Sequence, residues 1–339
     1  MSMIEERPET VAATAIPHDY SKRLMVFGGR SSMDLAAKVA GKLDLDLGQA
    51  TLTTFANGEV YCRYEESIRG ADVFIVQTGV GNVDRNLMEL LFMIQAAKLA
   101  SAKRITAVVP WFPYSRQDKK SAPREPITAK LVADALESAG VDRVVTMDLH
   151  AGQIQGFFTI PVDHMTALQL FAQYYRDKGL QGEGIVAVSP DPGRAKMARR
   201  FGQMLEGDLA ILNKTRPGHD EASVTEVIGR VRGKVAIMSD DIVVTGGTLI
   251  AGAEALLEAG ATEVYACATH GLFPGNAFEK LAASKIKQIT VANTVPIDPV
   301  NRPDKIDVLP VSSLLAETIL NVFADDSVSA IFAGENQLF

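Results

Sequence analysis

Short apolar runs alternate with amphipathic stretches along most of this chain. The runs over 72–76 and 105–110 are hydrophobic at nearly every position, which is typical of parallel strands covered by helices on both faces. The stretches between the runs carry apolar residues at helical spacing, which predicts an α/β fold with largely parallel sheets. In the first half, the predicted strands are 24–27, 72–76, 105–110 and 144–147, and the predicted helices are 32–43, 86–100 and 128–139.

The second half of the chain repeats this alternation of strands and helices. The pattern therefore predicts two similar α/β domains, over 21–165 and 166–339, preceded by a flexible extension over 1–20. The C-terminal segment is a candidate to pack back on the first domain. The predicted strands here are 184–188, 208–212, 234–238, 263–269 and 288–293, and the predicted helices are 194–205, 249–259 and 311–322.

Composition narrows the classes of function. The net charge is −7, from 34 basic and 41 acidic residues, and no basic block indicates a nucleic-acid partner. No apolar run approaches the roughly 18 residues that span a bilayer, and the N-terminus lacks the apolar core of a signal peptide. The two cysteines, Cys62 and Cys267, have no CxxC spacing and are interpreted as reduced thiols. A cytoplasmic protein without membrane or nucleic-acid partners is expected.

The segment 234–251 carries the strongest chemical signal. An apolar strand leads into the acidic pair Asp240-Asp241, and the turn Thr245-Gly246-Gly247-Thr248 then opens a helix. Glycines allow backbone N–H groups to approach a phosphate, and the start of the helix favours the same anion. The carboxylates suit a ribose 2,3-diol instead. An ordinary polar turn explains the coincidence of acid pair, spacing and TGGT less well, and no GxxxxGK[ST] loop is present.

The segment 240–248 resembles the phosphoribosyl diphosphate (PRPP) signature of the phosphoribosyltransferase superfamily. Further segments narrow the resemblance to the class I ribose-phosphate diphosphokinases, or PRPP synthetases, between about residues 27 and 332. These segments are 55–59, 112–120, 147–158, 189–191 and 269–271. The resemblance implies two phosphoribosyltransferase-type domains and transfer of the diphosphoryl group of Mg-ATP to the C1 hydroxyl of ribose 5-phosphate. The products would be PRPP and AMP, and PRPP would feed nucleotide, histidine and tryptophan biosynthesis.

The same resemblance assigns an ATP site and a magnesium site. Phe55 could stack on adenine, and Arg116 could fork onto phosphate oxygens. His150 and Asp191 are implied as the Mg²⁺ residues, a sparse set that suits this ion. His164, His219 and His270 receive no catalytic role. The implied ATP-binding residues are Phe55, Asn57, Glu59, Arg116, Gln117 and His150.

The family's mobile catalytic loop carries Lys-x-Arg after a strand, which here is Lys214-Thr215-Arg216. Lys214 and Arg216 are therefore implied to neutralise charge on the transferred group. One position departs from the family pattern, because Val244 stands where members commonly carry Asp just before the TGGT turn. Two alternatives are kept: a phosphoribosyltransferase that consumes PRPP, and a catalytically silent regulatory subunit, which only Val244 favours.

A second anion site is also implied, for phosphate or ADP as an effector between subunits. Hydroxyls and guanidinium groups together make a reasonable anion site. Because this site needs neighbouring copies, the resemblance implies a homohexamer built from dimers. The matching positions are Ser67, Arg69, Ser101, Arg104, Ser327 and Ser329.

Overall fold

The computed structural model describes residues 22–215 and 224–332. Its first part holds a sheet in the order β1-β4-β5-β6-β7, in which all pairs are parallel, as predicted. The antiparallel pair β2-β3 forms a separate hairpin. The elements are β1 (Leu24–Gly28), α1 (Met33–Lys42), β2 (Ala50–Thr54), β3 (Val60–Tyr64), β4 (Asp72–Val76), α2 (Val83–Leu99), β5 (Arg104–Val109), α3 (Thr128–Ala139), β6 (Arg143–Met147), β7 (Val162–Met165) and α4 (Leu168–Asp177).

The second part holds a sheet in the order β10-β9-β8-β11-β12-β13-β14, parallel except for the pair β9-β10. The last strand of the first sheet ends at Met165, and the first strand of the second sheet begins at Ile185. The domain limits 21–165 and 166–339 remain a prediction. The elements are β8 (Ile185–Ser189), α5 (Ala195–Met204), β9 (Asp208–Thr215), β10 (Val224–Ile228), β11 (Val235–Val243), α6 (Gly247–Glu258), β12 (Glu263–Gly271), α7 (Ala277–Ala283), β13 (Gln288–Ala292), β14 (Ile306–Leu309) and α8 (Ser312–Ala324).

Buried side chains form two outer cores and one core shared by the two sheets. In the outer cores, α2 and α3 cover one face of the first sheet, while α6 and α7 cover one face of the second. The shared core joins the other faces of both sheets through α1, α4 and α8. Leu315 of α8 and Val39 of α1 are fully buried in it, and each such side chain contributes about 1.5–3 kcal/mol. The C-terminal helix thus packs on the first part of the chain.

A polar junction joins the two sheets at the carboxyl ends of β6 and β12. The buried carboxylate of Asp148 accepts a hydrogen bond from the Thr269 hydroxyl at 2.6 Å. The buried ring of His270 lies with Nε2 3.0 Å from the Met147 carbonyl oxygen. These bonds hold the end of β6 beside the second sheet. His150, which lies three residues after the end of β6, can therefore reach β11.

The structure corrects several predicted element limits. Helix α3 has the predicted limits, but β11 continues through Asp240 and Asp241 to Val243, because Asp240, Ile242 and Val243 pair with β12. Helices α4 and α7 and strands β2, β3, β7, β10 and β14 were not predicted. The predicted extension over 1–20 lies outside the described residues. Among the described helices, none is both long enough and apolar enough to cross a membrane.

Candidate active site

The turn between β11 and α6 has the conformation that the glycine pair was expected to supply. Gly246 caps α6 with φ of +78°, in the left-handed region. A Cβ on Gly246 would lie 2.6 Å from Cδ2 of the buried Leu281, so both conformation and space require glycine there. Thr245, Gly247 and Thr248 are exposed at the start of the helix. The turn therefore presents its first N–H groups to solvent as an anion cradle.

A cleft of about 330 Å³ lies over this cradle, and residues from both parts of the chain line it. Both members of the acidic pair and Val244 line it from the second part, and Arg116 and His150 reach it from the first. The structure thus brings the predicted ribose residues together with three predicted ATP or metal residues. Those lining residues are Asp240, Asp241, Thr245, Gly246, Gly247, Thr248, Arg116, His150 and Asp191.

The two adjacent carboxylates have opposite electrostatic environments. Burial raises the pKa of Asp240, and the neighbouring Asp241 carboxylate raises it further. Burial also works to raise the pKa of Asp241, but the hydrogen bond from His150 and the charge of Arg194 outweigh it and hold that pKa well below its usual range. Asp241 is therefore the fixed anion of the pair, and Asp240 is the more exposed member facing the cleft.

His150 is oriented by Asp241 across the junction. Its Nδ1 lies 2.7 Å from Oδ2 of Asp241, which as a carboxylate can only accept, so Nδ1 is the donor. In the neutral ring this leaves the lone pair of Nε2 available, and Nε2 has no hydrogen-bond partner among the described residues. A histidine fixed in this tautomer by a carboxylate is suited to bind a cation.

Sequence reasoning missed one central residue, Arg194. Its Nη2 forms an ion pair with Oδ2 of Asp241 at 2.7 Å and donates a hydrogen bond to the backbone oxygen of His150 at 2.9 Å. Asp191 caps the turn before it, with Oδ1 accepting from the Arg194 N–H at 3.1 Å. Arg194 stands 44 residues from His150 and 47 from Asp241 in the sequence, so only the tertiary fold reveals the contact.

A second cleft of about 480 Å³ adjoins the first, and the two share Arg116, His150 and Arg194. Its wall is rich in cations from α5 and from the loop after β5, including Lys119 and Lys196. Two adjoining clefts with basic residues at their junction fit two anionic substrates bound side by side.

Three residues of the predicted ATP site lie elsewhere. Phe55, Asn57 and Glu59 form the loop of the β2-β3 hairpin and line neither cleft. Phe55 is 53% exposed, and its ring lies beside that of Tyr61, with ring centroids 5.5 Å apart. Gln117 accepts a hydrogen bond from the Thr128 hydroxyl at the start of α3 and is also outside both linings.

The two predicted loop cations, Lys214 and Arg216, lie partly or wholly outside the described residues. The backbone of Lys214 lies in β9, where it pairs with β10, and its side chain lies outside the described part of the chain. Arg216 and His219 also lie outside the described residues.

The residues predicted for the second anion site form two exposed pairs. Nη1 of Arg69 is 3.5 Å from Oγ of Ser101, and Oγ of Ser327 is 2.8 Å from Oγ of Ser329. Ser67 is also exposed.

Arg104, the remaining residue of this predicted site, is already bound to two carboxylates. It donates to the buried Asp72 and to Asp325, which also pairs with Lys22. The hydrogen bond to Asp72 raises the pKa of Arg104. An anion at this position would therefore have to compete with two carboxylates.

Comparison with known proteins gives a consistent result over most of the chain. Residues 24–140 match the family model described as the N-terminal domain of ribose phosphate pyrophosphokinase, and residues 215–333 match the phosphoribosyl synthetase-associated domain. A ribose-phosphate pyrophosphokinase from Caldanaerobacter subterraneus is 49% identical over 92% of this chain and 99% of its own length. One from Fusobacterium nucleatum is 48% identical over 91% of this chain and 97% of its own length.

A solved structure agrees with this result. The crystal structure of phosphoribosylpyrophosphate synthetase from Mycobacterium smegmatis is 44% identical, with a TM-score of 0.83, and the match covers 90% of this chain and 100% of that one. The predicted fold of two α/β domains and the predicted resemblance are confirmed. The chain belongs to the ribose-phosphate pyrophosphokinase family.

Proposed function

We propose that this chain transfers the diphosphoryl group of Mg-ATP to the C1 hydroxyl of ribose 5-phosphate, giving PRPP and AMP. The observation that carries the proposal is the cleft in which an anion cradle and two carboxylates lie beside a second, basic cleft. Family membership supports the same reaction.

Ribose 5-phosphate fits the smaller cleft. Its phosphate accepts hydrogen bonds from the N–H groups that open α6 and from the hydroxyls of Thr245 and Thr248. Asp240 and Asp241 accept from the 2- and 3-hydroxyls of the sugar. Val244, which lines the same cleft, offers only methyl groups to the sugar, so the carboxylate pair and the backbone carry recognition.

The triphosphate of ATP fits the adjoining cleft, where Arg116 and Lys119 supply positive charge. Magnesium fits the residues present. The described residues contain no group of three or more potential metal-binding side chains, but His150 keeps Nε2 and Asp191 keeps one carboxylate oxygen free of protein partners. A Mg²⁺ ion that arrives with ATP needs few protein ligands and, when bound, neutralises charge on the phosphate oxygens.

The proposed chemistry is an in-line substitution. The C1 oxygen forms a bond to the β-phosphorus, the bond between that phosphorus and the α,β-bridging oxygen breaks, and AMP leaves with that oxygen. The C1 hydroxyl proton passes to solvent. Lys214 and Arg216 are proposed to close over the β-phosphoryl group, and loss of either cation should lower kcat by about 10²–10³-fold.

The hairpin loop is proposed to serve a neighbouring copy. Phe55 is exposed and outside both clefts of its own chain, so it is available to stack on adenine bound by a second copy, with Asn57 and Glu59 against the base edge. We also propose a cytoplasmic homohexamer that binds phosphate or ADP at the exposed serine and arginine residues, as the resemblance to class I members implies. Sedimentation of a Phe55→Ala protein as a hexamer with an unchanged KM for ATP would contradict the adenine assignment.

The direct test is the fate of labelled phosphate. With ATP labelled at the β-phosphate, the label should appear in PRPP and the released nucleotide should be unlabelled AMP. Labelled ADP as the product would contradict diphosphoryl transfer. A phosphoribosyltransferase would instead consume PRPP and a base without ATP.

One observation favours a second candidate function, a silent regulatory subunit. Val244 lies in the sugar-phosphate cleft and can neither bind ribose nor accept a proton. If the purified native protein makes no PRPP by itself but the Val244→Asp variant does, the native chain is catalytically inactive and the regulatory-subunit hypothesis is correct.

A further inference from the structure

Arg194 is held rigidly at the start of α5. It ends the short 3-10 turn Pro192–Arg194, whose capping residue, Asp191, accepts its backbone N–H. Its side chain is only 18% exposed, and it lines both clefts. The guanidinium therefore lies at the junction of the two clefts and is fixed by the fold rather than by a loop.

The hydrogen bonds of this guanidinium are unevenly distributed. Nη2 reaches Asp241 and the carbonyl of His150, which ties the sugar-phosphate side of the site to the nucleotide side. Nε and Nη1 have no hydrogen-bond partner among the described residues. Three N–H donors therefore stay available at the junction.

The positive charge of the Arg194 guanidinium can act on the transferred group. The transferred group carries several negative charges, and the carboxylate of Asp241, which lines the sugar-phosphate cleft, repels it. A fixed cation at the junction offsets this repulsion without rearranging during the reaction, which is the condition under which electrostatic catalysis is most effective. An arginine can do this with two parallel hydrogen bonds, whereas a lysine offers a point charge.

We propose that Arg194 is a further catalytic residue of the transfer. Nη2 holds Asp241 and the backbone at His150 in place, while Nη1 and Nε donate hydrogen bonds to the diphosphoryl group as it moves between the clefts. This inference rests on the proposed diphosphoryl transfer.

The test compares Arg194→Ala and Arg194→Lys with Arg199→Ala, an exposed arginine on the same helix that lines neither cleft. PRPP and AMP are measured while ATP and ribose 5-phosphate are varied in turn, with and without added guanidinium chloride at millimolar concentration. Arg194→Ala should lose about 10²–10³-fold in kcat, with KM values changed less than about tenfold. Arg194→Lys should be intermediate, and Arg199→Ala should match the native protein.

Chemical rescue separates a catalytic role from a structural one. Guanidinium ion should restore part of the kcat of Arg194→Ala in a saturable way and should not accelerate Arg199→Ala. A native kcat in both Arg194→Lys and Arg194→Ala would overturn the inference. A lowered kcat of Arg194→Ala that guanidinium ion does not restore, together with a lower melting temperature, would also overturn it. If Arg194→Ala does not fold, a native kcat in Arg194→Lys alone overturns it. An inactive native protein would refute the proposed function itself, and the inference with it.

Discussion

Replacing Gly246 with alanine should damage the cradle in a way that can be worked out from the structure. The residue has φ of +78°, a region that costs an L-residue with a Cβ about 1–2 kcal/mol. The new methyl would also lie 2.6 Å from Cδ2 and 2.8 Å from Cγ of Leu281, which is fully buried. Overpacking of this kind costs about 1–3 kcal/mol, so the total destabilisation should be about 2–5 kcal/mol.

The assay measures the Tm of thermal unfolding by calorimetry, and Gly247→Ala is the matched control. A chain of this size shifts its Tm by roughly 2 °C per kcal/mol, so Gly246→Ala should melt about 4–10 °C below the native protein. A Cβ on Gly247 meets nothing closer than Oγ1 of Thr245 at 3.8 Å, so the control should melt within about 2 °C of the native protein. Equal melting temperatures for the two variants would refute the described turn.

Three further perturbations test the electrostatics of the site and its surroundings. Burial lowers the pKa of His164 to about 4, below the value of about 6.5 in an unfolded chain, and its Nε2 accepts the Leu149 N–H at 2.7 Å. Its stabilising contribution is therefore present above pH 6.5 and lost as the pH falls towards 4. The urea concentration at the unfolding midpoint should fall less between pH 6.5 and 4 for His164→Gln than for the native protein. An equal fall in both proteins would contradict this. Asp241→Asn removes the carboxylate that Arg194 binds, so the Tm should fall because a buried ion pair is broken, and the KM for ribose 5-phosphate should rise about 10–100-fold; a native KM would argue against ribose binding there. Val244→Asp places a third acceptor in the cleft, and its KM for ribose 5-phosphate should fall; an unchanged KM would show that the sugar does not reach this position.

The central strands could be predicted because burial on both faces makes them apolar throughout. All five residues of β4 are buried, and its predicted limits match the structure. The edge strands β7 and β14 carry Asp163 and Asp307 at half-buried positions, so their sequences lack that signal. Hydrophobicity alone cannot reveal such strands, since their pairing depends on neighbours far along the chain.

Helix α4 and the β2-β3 hairpin, which were not predicted, do carry signals in the sequence. Helix α4 buries Leu168, Phe171, Ala172 and Tyr175, which follow helical spacing. Asn-Gly within the loop 55–59 is a strong hairpin signal, and Gly58 has φ of +94°.

The site itself was predictable only in part. The acid pair and the cradle lie within nine consecutive residues, so their closeness in the sequence also predicts their closeness in the structure. The contact of His150 and Arg194 with Asp241 depends on the junction formed by Asp148 and His270, which no local pattern encodes.

The most direct test of the account is a crystal structure of the protein with ribose 5-phosphate bound. The phosphate should lie within hydrogen-bond distance of the backbone N–H groups at 246–248, with the 2- and 3-hydroxyls against Asp240 and Asp241. A sugar phosphate bound elsewhere, with the 245–248 turn left to solvent, would contradict the central claim.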